Sequence, residues 1–368
     1  MSECQIGLEQ LSKRIKHDLE MLQYPPADWV IPRNTKEGRP VLDVAVIGGG
    51  MCGLVATFAL LRAGINNIRT FDTNEEGREG PWPKYARMET LRSPKTLAGP
   101  ALGLPNLTFQ AWYEAQWGLN AWGELGRIPT LTWMEYLIWY RKVLNLNIEN
   151  GKYVEAVDAT EHGFNITVKD GSTEDIVPVR KIILATGREG MAEPRIPAPL
   201  QDFLGPQCQH SSEDINFDSL DRKEVAVIGI SASAIDNAAA ALEAGASSVH
   251  ILCRAPAVPR VNKMKSTVYA GFTNGFPRLS LEERMNLLSY VFNYRVAPPQ
   301  NSVQRVWKHK NVKLHLDGEL VEVKKEKEKL LLLTNHHGIE AEHVILGTGF
   351  KINVNAPRLL KSFAEKIK

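Results

Sequence analysis

Two stretches of the chain open on the same five residues: "VAVIGGGMCG" at 44–53 and "VAVIGISASA" at 225–234. Each begins with a short, β-branched, almost wholly apolar run, the composition of a parallel strand buried on both faces. In the first copy the strand "LDVAVIG" (42–48) is followed by "MCGLVATFALLRAG" (51–64), with helical spacing and a glycine stop at Gly64. "NIRTFD" (67–72) then reads as the next strand, ending in an acid. In the second copy "KEVAVIG" (223–229), "SASAIDNAAAALEAG" (231–245) and "SVHILCR" (248–254) repeat the order strand, helix, strand, but end on an arginine.

The glycines of the first copy, Gly48, Gly50 and Gly53, fit G-x-G-x-x-G. The first permits a tight turn, the second lets a pyrophosphate approach the backbone, and the third lets the helix pack closely on the strand. The helix start at Met51 and Cys52 offers unpaired N–H groups and a positive dipole end to phosphate. Asp72 closes the second strand of the unit, where a carboxylate accepts from ribose hydroxyls. Strand, helix, second strand and terminal acid together make a dinucleotide site of the Rossmann type.

The second copy keeps Gly229 but has Ser231 and Ala234 at the other two positions, with Ala232 and Ser233 at the helix start. Ser231 either pushes a pyrophosphate outward or offers it a hydroxyl, so this turn reads as working but looser. Arg254 follows Gly229 at nearly the spacing that separates Asp72 from Gly48. A guanidinium there suits a 2′-phosphate, as a carboxylate suits a free 2′-hydroxyl. The economical pair is FAD in the first half and NADPH in the second, with hydride passing from nicotinamide to flavin.

Each half also closes alike. "IILATG" (182–187) and "VILGTG" (344–349) are apolar strands stopped by Thr-Gly, each after a stretch of alternation and turn signals that reads as a β-meander (152–179 and 319–343). The run "KKEKEK" (324–329) reads as a solvated hairpin end. The fold expected is α/β: two Rossmann-like dinucleotide-binding domains, for FAD and NADPH, each with a β-meander, built on three-layer parallel sheets. The domains expected are an N-terminal helical extension over 1–40, a discontinuous FAD-binding domain over 41–195 plus 340–368, and an NADPH-binding domain over 196–339.

Composition excludes several alternatives. The 368 residues exceed one ordinary core, and 43% hydrophobic with 23% charged residues is a globular balance. A net charge of +2 gives no nucleic-acid signature. No apolar run reaches the roughly 18 residues of a membrane span, and there is no signal-peptide pattern. Leu8, Leu11, Ile15, Leu19 and Leu22 instead recur on one helical face, read as a packing helix. Cys4, Cys52, Cys208 and Cys253 are scattered, without C-x-x-C, which supports neither a metal site nor a dithiol centre and fits a reducing, cytoplasmic setting.

The arrangement resembles the flavin-containing monooxygenase superfamily, with its Baeyer–Villiger and N-hydroxylating relatives, over roughly 40–350. "DTNEEGREGPWPKYARMETLRSPK" (72–95) is similar to the family's stretch in which Gly and Trp follow the acid, and "LTFQAWYEAQWG" (107–118) and "IPTLTWMEYLIWYRKVL" (128–144) are similar to one bacterial branch. The resemblance implies a flavoprotein oxidoreductase: an FAD-dependent, NADPH-consuming monooxygenase. It would insert one oxygen atom of O₂ into a small organic substrate through a flavin C4a-(hydro)peroxide. It places Gly48, Gly50, Gly53 and Asp72 on FAD, Trp82 near the flavin, and Thr186 and Gly187 at the strand end where the domains meet. Gly229, Ser231, Ser233 and Ala234 would face the NADPH pyrophosphate, and Arg254 the 2′-phosphate. No catalytic side chain is implied, since the reactive atoms belong to the cofactor.

The chain departs from the family in two places. The family string F-x-G-x-x-x-H appears as "FLGPQCQH" (203–210), with His210 one residue late, which leaves a mechanistic role and a plain loop histidine equally open. After Gly349 the sequence runs only to Lys368, where the resemblance implies a longer segment, so it reads as a compact version or an incomplete one. A flavin reductase without oxygenation and a degenerate flavoprotein stay as alternatives, and homo-oligomerisation is left open. Five of the eight tryptophans fall between 112 and 139, read as packing or as an aromatic-lined pocket.

Overall fold

The computed structural model describes residues 6–188, 190, 192–293, 296–353 and 358–362. The chain divides into two compact units, 1–193 with 351–368, and 194–350. The first contains α1 (Gly7–Met21), β1 (Arg33–Asn34), β2 (Pro40–Ile47), α2 (Met51–Arg62), β3 (Ile68–Phe71), α3 (Phe109–Glu124), α4 (Thr130–Val143), β4 (Tyr153–Thr160), β5 (Gly163–Asp170) and β6 (Thr173–Leu184). The chain crosses to the second unit in β7 (Ala192–Pro194). There follow β8 (Cys208–His210), β9 (Glu224–Ile228), α5 (Ala232–Glu243), β10 (Ser248–Leu252), α6 (Ala270–Gly275), α7 (Leu281–Asn293) and α8 (Gln300–Trp307). Strands β11 (Val312–His315), β12 (Leu320–Glu326), β13 (Lys329–Thr334), β14 (Gly338–Ala341) and β15 (His343–Leu346) complete it, and the chain returns through β16 (Phe350–Ile352).

In the first unit β3, β2 and β6 run parallel, while β6, β5 and β4 form an antiparallel meander in the same sheet. The strand expected at "IILATG" is therefore not separate. It is the end of β6, whose earlier part is a meander strand. The Asp170-Gly171 turn closes β5 on β6, with Asp170 opposite Thr173. The expected parallel strands and meander are both present, joined here in one mixed sheet.

The second unit has a wholly parallel five-stranded sheet, in the order β11-β10-β9-β15-β8. One face of it, with Val225, Val227, Val249, Ile251 and Ile345, packs on α5 and on Val306 of α8. The other, with Ala226, Leu252, Val344 and Leu346, packs on the separate meander β12-β13-β14. The three layers are thus helices, parallel sheet and meander. Lys327, at φ +55°, makes the turn within "KKEKEK", whose residues are exposed apart from Lys329.

Two expected boundaries move. The strand at 343–346 was expected to rejoin the first domain, but β15 pairs with β9 and β8 in the second sheet, so the return falls at 351. The segment 1–40 is no mere extension. Leu11, Ile15 and Leu19 of α1 are buried in the same cluster as the aromatic residues of α3 and α4, and β1 pairs with β2. Leu22 lies past the helix end and is exposed. Trp112, Trp122, Trp133 and Trp139 are core residues around Phe109 and Tyr136, while Trp117 is half-exposed. Packing accounts for that aromatic run.

Several histidines of the second unit are held below the ordinary imidazole range. His343, buried in β15, is lowered to about 4 by its burial and by Lys223. His315 is lowered to about 4 by burial and by His250 and His337, which contact its two ring nitrogens at 3.1 and 2.8 Å. Burial also lowers His250 and His210. Above the unfolded value near 6.5 both states are neutral. Below it the unfolded chain takes up protons that the folded chain resists, so stability falls as pH drops from about 6.5 towards 4. For the buried His343 the slope approaches about 1.4 kcal/mol per pH unit. Urea midpoints should therefore be lower at pH 5 than at pH 7.5, with a smaller difference in His343→Leu.

Candidate active site

The two glycine turns have nearly the same backbone construction. β2 ends at Ile47, and the Gly48 N–H donates to the Phe71 carbonyl at 2.8 Å. The Gly229 N–H donates to the Leu252 carbonyl, also at 2.8 Å. Gly48 has φ +106° and Gly229 φ +127°, conformations that favour glycine. A Cβ on either would stand 2.4 Å from the Ala185 carbonyl oxygen or 2.5 Å from that of Gly347. Ala185 and Gly347 begin the two Thr-Gly endings, so each turn is wedged against the strand that closes its own unit.

The third position fixes how near the helix comes. A Cβ on Gly53 would lie 1.8 Å from the Gly48 carbonyl oxygen and 3.7 Å from the Ala185 Cβ. In the second unit the small residue changes sides: Ala234 is in the helix, and a Cβ on Gly347 would lie 2.5 Å from both Cα and Cβ of Ala234. Each contact thus carries one methyl group, from the strand in the first unit and from the helix in the second.

Gly50 and Ser231 are the helix N-caps. Both have extended backbone, φ −66° and −81°, which any residue adopts. Serine is therefore conformationally free at 231, and its hydroxyl makes no capping bond. The first N–H groups of each helix, at Met51, Cys52 and Gly53 and at Ala232, Ser233 and Ala234, have no acceptor within the helix. They are the donors an anion would meet.

Asp72 is 7% exposed. Its Oδ2 accepts the Gly49 N–H at 2.7 Å, and its Oδ1 accepts the Asn74 N–H and side-chain amide at 2.7 and 2.8 Å. The acid thus braces the turn it was expected to serve, through the middle glycine, Gly49. The loop after it brings Gly80 beside Gly50, where an added Cβ would lie 3.7 Å from the Gly80 Cα. Trp82 follows, half-buried, its ring edge-on to Trp133 at 6.5 Å.

Register defines where Arg254 stands. Ile47 pairs with Phe71 and Ile228 with Leu252, so the counterpart of Asp72 is Cys253, and Arg254 lies one residue beyond. Cys253 is buried, and its Sγ accepts the Ala255 N–H at 3.2 Å. Arg254 is exposed, with no hydrogen-bond or ion-pair partner among the described residues. The second turn therefore has a cysteine where the first has a carboxylate, and an uncommitted guanidinium next to it.

Thr186 and Gly187 follow β6, with Gly187 at φ +67°. His210 is no loop residue. It ends β8, is 1% exposed, and packs on Phe350. Its Nε2 lies 3.1 Å from the Gly349 carbonyl oxygen, and its Nδ1 lies 2.7 Å from Ser212 Oγ and 3.2 Å from the Ser212 N–H. A neutral imidazole protonated on Nε2 satisfies all three, and burial keeps it neutral. It anchors the second Thr-Gly ending.

Residues 42–362 match the family described as pyridine nucleotide-disulphide oxidoreductase. The chain belongs to that family. This member has no disulfide among its described residues, where Cys52, Cys208 and Cys253 are free. It is similar to the FAD-dependent urate hydroxylase of Xanthomonas campestris pv. campestris, at 35% identity over 362 residues, covering 98% of this chain and 75% of that one. Its fold is similar to that of an ornithine hydroxylase from Pseudomonas aeruginosa (16% identity, TM-score 0.73, covering 88% and 86% of the two chains). It is also similar to an ornithine N-hydroxylase from Kutzneria sp. 744, solved with reduced FAD, NADP⁺ and L-ornithine (18% identity, TM-score 0.70, covering 89% and 85%). Among the described residues of this family member, no helix is long and apolar enough to cross a membrane.

The packing at the Thr-Gly ending can be tested directly. Gly347→Ala forces a methyl group against the backbone of α5 and should cost about 1–3 kcal/mol or more. Adding Ala234→Gly should recover only part of it, because the Ala234 Cα is as near as its Cβ. The midpoint of urea unfolding measures both.

Proposed function

We propose that this protein is an FAD-dependent, NADPH-consuming monooxygenase acting on a small organic substrate. The observation that carries this reading is the pair of matched turns with opposite endings: Asp72 tied to Gly49 in one, Cys253 with a free Arg254 in the other. A carboxylate suits the ribose of FAD. A guanidinium with no carboxylate beside it suits a 2′-phosphate, which a carboxylate would repel. The similarity to a hydroxylase named as FAD-dependent supports the FAD half of this reading.

In this reading Met51 and Cys52 present their N–H groups to the FAD pyrophosphate, and Asp72 accepts from its ribose. Trp82 is carried toward the flavin by the loop that passes Gly50. Ala232 and Ser233 present N–H groups to the NADPH pyrophosphate, with the uncommitted Ser231 hydroxyl as a further donor. When bound, FAD would supply the redox chemistry between NADPH and O₂. The balance is NADPH, H⁺, O₂ and substrate giving NADP⁺, water and the oxygenated product. Serine at 231 suits a nucleotide that exchanges each turnover, and the closer glycine turn suits a flavin that stays. Urate, named for the Xanthomonas relative, is the first substrate to test.

Purified protein should be yellow, lose its flavin absorbance when NADPH is added without oxygen, and regain it with O₂. With the right substrate, NADPH and O₂ should be consumed one to one without hydrogen peroxide. If every substrate leaves all the O₂ as peroxide, the protein is a reductase instead. Arg254→Ala should raise the KM for NADPH roughly 10- to 100-fold, the worth of a charged hydrogen bond, and leave that for NADH nearly unchanged. Equal changes for both nucleotides would sink the assignment of Arg254.

A further inference from the structure

An ion pair stands in the wall of the first turn, its acid buried and its arginine partly so, and the glycine turn itself does not account for it. Gly49, Gly50 and Met51 form one side of a small cleft, Gly77 and Glu79 another, and Arg141 of α4 a third. Glu79 is 5% exposed. Its Oε2 accepts the Gly77 N–H at 2.9 Å, and its Oε1 accepts Arg141 Nη1 at 2.9 Å and Asn150 Nδ2 at 2.7 Å. Arg141 also donates to Asn150 Oδ1 and to the Ile148 carbonyl, each at 2.8 Å, and lies 3.6 Å from Glu76. Asn150 donates in turn to the Asn74 carbonyl at 2.9 Å.

Three segments are cross-tied in this way: the loop after Asp72, the last turn of α4, and residues 148–150. The loop is the one that brings Gly80 against Gly50 and carries Trp82. Glu79 immediately precedes Gly80, whose φ of +76° makes a sharp turn toward the helix N-terminus. A buried ion pair gives little net stability, because its desolvation offsets its attraction, but it fixes geometry when every donor and acceptor is matched. Here the matched groups all fix one loop.

We infer that Arg141 and Glu79 are positioning residues for the flavin nucleotide, holding the 74–82 loop closed on the glycine turn so that bound FAD is retained. The inference rests on the reading that this turn holds FAD. Neither residue needs to touch the reacting atoms.

The test is the rate of FAD release from purified holoenzyme, followed by flavin fluorescence, beside the unfolding temperature of each variant. Wild type that holds no FAD would defeat the parent reading before any variant is made. Given a yellow wild type, Arg141→Met should release FAD roughly tenfold faster or more, the scale of one lost hydrogen bond to a charged group. Arg141→Lys keeps the charge opposite Glu79 but cannot reach Ile148 and Asn150 together, and should be intermediate. The double variant Glu79→Met with Arg141→Met removes both charges and should recover the unfolding temperature. FAD release should remain fast in it, because the loop is still untied. If slow release returns with stability in the double variant, the pair is only structural and the inference fails. It fails equally if Arg141→Met releases FAD at the wild-type rate.

Discussion

The distance between each glycine turn and the strand that closes its unit constrains nearly everything else. At the first turn there is room for a carbonyl oxygen and one methyl group, with no Cβ tolerated at Gly48 or Gly53. That closeness fixes where α2 begins, and so where its unpaired N–H groups point. It also places Gly49 within reach of Asp72, so that the end of β3 and the turn brace each other. The second unit meets the same constraint by another route, with the methyl group in the helix and glycine in the strand. What is preserved between the two units is the spacing and not the identity of the glycines.

Much of this was legible in the sequence because it is local. Both strand–helix–strand units, both meanders and the Thr-Gly endings follow from short runs with clear periodicity. What failed was non-local. The strand at 343–346 looks the same whether it returns to the first sheet or stays in the second, and only its pairing with β8 and β9 decides. The fusion of "IILATG" with a meander strand was not legible because no turn residue marks, or fails to mark, a boundary that does not exist.

At the site, strand register places Arg254 one residue past the position of Asp72. Matching charge to charge makes the second spacing one residue longer than the first, and the difference was real: the residue equivalent to Asp72 is Cys253. Aligning the strand ends instead of the charges would have found it. Gly49 escaped because the fingerprint assigns that position no role. Glu79, Arg141 and Asn150 left no signal, since the first lies far along the chain from the other two and nothing in their spacing joins them. His210 was found, but its purpose was not: a neutral imidazole holding the Gly349 carbonyl is visible only when β8 is seen beside β15.

In the proposed reading, the contrast between the turns also bears on how long each nucleotide stays. In the first unit the acid is buried and bonded, the N-cap is glycine, and a cross-tied loop stands against the turn. Opening that turn to release a nucleotide would break hydrogen bonds among buried and partly buried groups, which are costly to leave unpaired. In the second unit the residue at the acid position is a thiol that bonds only its own chain two residues on, the N-cap hydroxyl is uncommitted, and the cation is in solvent. A nucleotide leaving that turn returns its groups to water with little protein structure undone. A slow barrier at one turn and a low one at the other is what a resident redox carrier and an exchanging hydride donor require. The difference comes from what surrounds each turn, since the turns themselves have nearly the same backbone.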